Sequence, residues 1–109
     1  MKLDKDDKDD RDSLVIKALV KAGSDLSKPH NVDFTFHFDT VKGATRFGRK
    51  IEKDGFKFEM HKNDDGTMVI EAQKNLMLSV ELMREIRIKL NLLAQKNDGD
   101  YDGWGTMIV

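Results

Sequence analysis

The side chains with most chemistry to offer are three histidines, a few serines and many carboxylates, and their spacing decides against each obvious reaction. His37 and His61 alternate with apolar residues, which predicts both on the polar side of a sheet, with Glu71 on the strand between them. A His-Glu-His set would suit a divalent metal. Strands separated by a third, however, lie roughly 9–10 Å apart, too far for shared ligation, so no metal site is assigned. Ser24, Ser27 and Ser79 lack the strand–turn–helix setting of a nucleophile elbow. Gly103-Trp-Gly105 leads into a strand and not a helix, which removes the phosphate cradle of a helix N-terminus. The carboxylates fall in turns and on helix surfaces, where nothing raises a pKa for acid–base work. With no cysteine there is no thiol nucleophile, thiolate zinc site or disulfide. No catalytic residue, metal or cofactor is expected.

Two segments remain that could act by contact. Tyr101, Asp102, Gly103, Trp104 and Gly105 place two aromatics among glycines, and aromatics are enriched at interface hot spots. The competing reading is that Trp104 anchors the last strand to the core while the glycines permit an unusual backbone. Between Lys42 and Lys62 stand seven Lys or Arg against Glu52, Asp54 and Glu59, a local excess of four cations. Lys42, Arg46, Arg49 and Lys50 form its densest part. Such a patch could meet phosphate or an acidic partner, although a solvated helix face is the commoner outcome.

The elements that would position these segments follow from periodicity. The chain has 109 residues, 39% hydrophobic and 36% charged, with a formal net charge of −1. That length supports one core, burying roughly 65% of the unfolded surface. The balance of charge implies neither wholesale nucleic-acid wrapping nor membrane-surface binding. No stretch approaches the ~20 apolar residues of a membrane span, and the charged Met1–Asp12 is unlike a signal peptide. A cytoplasmic protein is the expectation. Residues 1–12 read as a charged, partly disordered N-terminus and 13–109 as the single folded domain.

Leu14, Val15, Ala18, Leu19 and Ala22, followed by Gly23, predict a helix at about residues 9–22. Val32, Phe34, Phe36 and Phe38 alternate with polar residues and predict a half-buried strand. Val41, Ala44, Phe47, Gly48 and Ile51 mark a second helix behind an Asp39 or Thr40 cap. Phe56–His61 and Met68–Gln73 form a hairpin around Asn63-Asp-Asp-Gly66. Leu82, Met83, Ile86, Leu90 and Leu93 stripe a third helix capped by Ser79, with Ile88 and Leu92 off its centre. Asn97–Gly103 reads as a turn and Trp104–Val109 as a short closing strand. An initial helix followed by β-α-β-β-α-β, with right-handed crossovers, leaves one arrangement. It is an α+β, ferredoxin-like sandwich whose four-stranded antiparallel sheet has order 4-1-3-2 and both crossover helices on one face. The phenylalanines then lie beneath the helices, which leaves no aromatics on the open sheet face for base stacking.

Asp100-Tyr-Asp-Gly-Trp-Gly-Thr106 resembles the C-terminal motif of the regulator of ribonuclease activity B family, inhibitors of ribonuclease E. Leu19-Val-Lys-Ala-Gly-Ser-Asp25 is similar to that family's helix–Gly-Ser-Asp loop, and the resemblance covers about Ser13 to Thr106. It implies a ferredoxin-like fold, no catalysis, and regulation of ribonuclease E by direct protein binding. Two departures stand out: the chain lacks the long acidic C-terminal extension that such inhibitors can carry, and its charge is nearly neutral where they are strongly acidic. The expectation is a non-enzymatic regulator of RNA metabolism that binds a protein partner. The alternatives are an RNA-binding module using the basic crossover helix, or a homodimeric structural module. Partner identity and oligomeric state are left open by the sequence.

Overall fold

The computed structural model describes the backbone of residues 2–109 and the side chains from Arg11 onward. Its elements are α1 (Lys2–Lys21), β1 (His30–Phe38), α2 (Val41–Lys53), β2 (Lys57–Lys62), β3 (Met68–Leu76), α3 (Val80–Lys96) and β4 (Gly99–Thr106). The four strands form one antiparallel sheet in the order β2-β3-β1-β4. Read backwards this is 4-1-3-2, the strand order expected from the sequence.

Period-2 burial along β1 is nearly complete. His30, Val32, Phe34, Phe36 and Phe38 face the helices, while Asn31, Asp33 and His37 face water. The Phe47 ring of α2 sits 4.6 Å from Phe36 and 5.0 Å from Phe38, centroid to centroid, and Phe34 meets Phe56 edge-on at 5.6 Å. Met83, Leu90 and Ala94 of α3 complete the same core. Thr40 caps α2 by accepting the Gly43 amide, and Ser79 caps α3 by accepting that of Leu82, each at 3.0 Å. Gly48 allows α2 to settle on the sheet, because a Cβ there would lie 2.5 Å from the Phe58 ring.

Three expectations are corrected. The first helix begins at Lys2, ahead of the expected residue 9; fraying of the charged run falls, up to residue 10, outside the described side chains. Among the described side chains, the buried positions of α1 are Asp12, Ile16 and Leu19, whereas Leu14 is 60% exposed and Ala18 and Ala22 lie in solvent. The helix packs through the stripe that meets α3, not through the one with most apolar residues. The last strand spans Gly99–Thr106 in place of Trp104–Val109. Asp98 takes the left-handed turn conformation (φ 63°), and pairing with β1 starts at Gly99 opposite Phe38. Ile88 and Leu92 are about half exposed, off the centre of the α3 stripe as their spacing requires.

Candidate functional site at the edge strand

β4 is an outer strand of the sheet, and the Tyr101–Gly105 run lies along it. Its register with β1 slips between Thr35 and Phe36: Tyr101 opposes Phe36, Gly103 opposes Thr35, and Asp102 is the additional residue. This is a β-bulge, two residues set against one. Strict alternation would send Tyr101 and Trp104, three apart, to opposite faces. The bulge restores both to the helix side, where Tyr101 contacts the Phe36 ring at 5.5 Å and both aromatics pack against the core. Gly103 adopts φ +138°, a conformation that side chains rarely take, so glycine is required at the bulge.

Asp12, Trp104 and Arg87 form the polar knot of this region. The Asp12 carboxylate is buried, with 1% of the residue exposed. One oxygen accepts the Trp104 indole N–H at 2.9 Å, and the other accepts Arg87 Nε–H at 2.9 Å. One side chain thereby links α1, α3 and β4. Buried carboxylates persist only when paired and hydrogen-bonded, and this one is both. Burial, followed by the neighbouring Asp12 charge, pushes the Tyr101 phenol well above its usual range. Around the knot, Leu14 and Val15 of α1, Asn91 of α3 and the two aromatics border a recess of about 650 Å³.

On the opposite side of the sheet, His37 Nε2 lies 3.4 Å from the exposed Asp102 carboxylate. His61 lies 3.8 Å from Glu59 and 4.0 Å from Glu71. His37 and His61 flank Val69 in register on either side of β3. Among the described residues, no group of three or more His, Asp or Glu has metal-holding geometry. His30, by contrast, is fully buried. Its Nδ1 lies 3.0 Å from the Lys28 carbonyl, which can only accept, so in the neutral ring Nε2 accepts the Ser24 hydroxyl at 2.6 Å. Ser24 Oγ in turn accepts the Val109 amide at 3.1 Å, fastening the chain end to the α1–β1 loop.

Lys42, Arg46, Arg49 and Lys50 are all exposed on α2. With Lys53 they form a stripe on one side of the helix, and none makes an ion pair among the described residues. The structure keeps this stripe separate from the β4 site.

Sequence reasoning missed Asp12 and His30. Both carried a signal. Asp12 stands four and seven residues before Ile16 and Leu19, on their helical stripe, and His30 continues the Val32–Phe38 alternation backwards. Charge and loop context masked them.

Comparison with known proteins agrees with the residues. The family model described as regulator of ribonuclease activity B matches residues 9–106. A protein of that name from Pseudoalteromonas atlantica is 31% identical over 99 residues, covering 86% of this chain and 85% of the relative. One from Photobacterium profundum is 33% identical over 100 residues, covering 84% and 74%, and one from Shewanella amazonensis is 29% identical over 100 residues, covering 87% and 71%. No helix among the described residues is long and apolar enough to cross a membrane. A match spanning the bulged strand, the core and the Asp12 helix leaves one assignment: the chain belongs to the regulator of ribonuclease activity B family.

Proposed function

We propose that this protein is a non-catalytic regulator that binds an endoribonuclease, such as ribonuclease E, and limits its activity by occupying surface. A ferredoxin-like domain with an added N-terminal helix serves as the rigid platform, and Tyr101, Asp102, Gly103, Trp104 and Gly105 form the contact. The observation that carries this reading is the placement of that run on an outer strand beside a recess of about 650 Å³. Asp102 is exposed, and Trp104 keeps part of its surface in water despite its bond to Asp12. Ring surface next to a recess is the usual anchor of a protein interface. A second support is chemical: Asp12 is engaged by Arg87 and Trp104 and Asp102 lies beside His37, with no nucleophile–base pair among these groups.

The test is titration of purified ribonuclease E with the protein, reading both complex formation and cleavage of a model RNA. Binding with slower cleavage is expected, and Trp104→Ala and Asp102→Ala together should weaken both. Absence of any complex at micromolar concentrations would end the proposal. Binding of the RNA alone, lost in an Arg46→Ala/Arg49→Ala variant and steep in salt, would instead assign the regulation to the α2 stripe.

A further inference from the structure

β4 has a recess on each of its two faces. Toward the helices lies the cavity of about 650 Å³ bordered by Leu14, Val15, Tyr101 and Trp104. Toward the open face, Asp33, Thr35 and Asp102 border a second one of about 250 Å³, floored by Gly103 and Gly105. A Cβ at either glycine would meet nothing within 4 Å, so the backbone is bare there. Among the described residues, no backbone hydrogen bond crosses the outer edge of β4. An added strand presents alternate side chains to the two faces of a sheet, and such a pair of recesses flanking a free edge is what it would fill.

We propose that the β4 edge accepts an extended segment of the partner protein, added as a fifth strand, with apolar residues entering the helix-side recess and Lys or Arg the open-face one. The charges support this composition. Asp33 and Asp102 rim the open-face recess, and Asp100 lies farther along the same side. Asp33 has one oxygen engaged by Gln73 at 2.8 Å, and among the described residues Asp102 meets His37 at 3.4 Å; a cation placed between them gains two carboxylates. On the helix side, the Leu14, Val15 and Trp104 surfaces favour an aliphatic group. A second copy of the chain is the less complementary occupant, because it would bring its own Asp100 and Asp102 to an edge that already carries them and supplies no Lys or Arg from β4. Natural sheets guard their edges with lysine, proline or cover. Among the described residues, this edge has its bulge and two aspartates. Strand addition draws affinity from backbone bonds and selectivity from alternate pockets.

The inference rests on the regulatory reading only for the identity of the partner, so two arms separate them. In the first, an acetylated peptide of alternating valine and lysine is titrated into the full chain, labelled for amide NMR. Shifts at residues 99–106 and a change in Trp104 emission are expected. Methylating the peptide's backbone nitrogens, or exchanging its lysines for glutamates, should weaken binding roughly tenfold or more. Equal binding of the methylated peptide, no binding, or shifts confined to other elements would overturn the edge assignment. In the second arm, Gly105→Lys, whose side chain has open space, is compared with the parent for capture of ribonuclease E. Capture weakened by roughly tenfold with an unchanged melting curve supports the proposal. Undiminished capture would sink it while leaving regulation intact. Peptide binding at the edge without ribonuclease capture would sink the regulatory reading instead.

Discussion

Asp12 provides the sharpest test of the architecture, because one carboxylate joins three elements. Replacing it with Ala leaves the indole N–H of Trp104 and the Nε–H of Arg87 without that acceptor. Removing one member of a buried pair costs about 3–5 kcal/mol. Arg87 retains 18% side-chain exposure, which lets water reach it and places the expected cost near the lower bound, about 3 kcal/mol. At ~2.1 cal/mol/K of unfolding entropy per residue over 109 residues, the melting temperature should fall by roughly 13 °C. Asp12→Asn should lose about 2 kcal/mol, because whichever way the amide turns, one of its N–H groups faces a donor. The double variant Asp12→Leu/Arg87→Met removes both charges at once and should recover most of the loss. The assay is urea unfolding followed by the emission of Trp104, the only tryptophan in the chain, checked by far-ultraviolet circular dichroism. A loss below about 1 kcal/mol in Asp12→Ala, the range of an exposed pair, would refute the reasoning.

Other outcomes follow from the same contacts. Tyr101 is the only tyrosine, and burial raises its phenol from the model-compound value of 10.0; the unfolded chain therefore ionises first, and stability should fall as pH rises above 10. The phenolate absorbance should appear together with unfolding, and a normal titration in the folded protein would contradict this. The Tyr101 hydroxyl is buried without a hydrogen-bond partner among the described residues, so Tyr101→Phe should raise stability by about 1 kcal/mol in urea unfolding. Hydrogen bonds from Ser27 and Thr67 hold the Asp25 and Asp65 carboxyls below their ordinary 3.8. Their contribution is complete above that pH and lost as pH falls through the lower folded values, which carboxyl NMR titration would show. Gly103→Ala should cost about 1–3 kcal/mol from its φ of +138°, measured by thermal melting.

Period-2 and helical spacing made most of the sheet and the crossover helices legible. The alternation Val32-x-Phe-x-Phe-x-Phe38 is unambiguous because a one-residue slip would expose every ring, and the caps Thr40 and Ser79 are where short polar side chains must be. The candidate site was half legible. The types in Tyr101–Gly105 suggested contact, yet a bulge reverses facing partway along a strand, and alternation carries no sign of it. Reading that run as a turn also cost β4 its first residues. Asp12 was hidden by composition: in a run of six aspartates, the one that turns inward differs only by its phase with Ile16 and Leu19. Its partners lie 75 and 92 residues away, a separation that no local pattern reports.

The two readings of the Tyr101–Gly105 run, anchor and contact, are the same device seen from its two sides. An anchor alone needs no bulge: Trp104 opposite Phe34 would already face the core in a regular strand. Tyr101 and Trp104 stand three apart, and setting Asp102 aside in the bulge keeps Tyr101 inward as well while sending the Asp102 carboxylate out toward His37. It also forces a glycine at 103, leaving bare backbone where a side chain would otherwise shield the edge. Asp12 then fixes the indole from the far side, so the recess beside it is held open by an ion pair and need not be remade on binding. Packing thus supplies the rigidity, and the exposed backbone supplies the contact. A variant that straightens the strand, such as deletion of Asp102, should separate the two. Tyr101 would then stand two residues from Trp104, so both rings would stay inside opposite Phe36 and Phe34 and the fold would persist, but the outward carboxylate and the bulged backbone would be lost and ribonuclease capture would fall. Retained capture in a folded, straightened strand would show that the bulge serves packing alone.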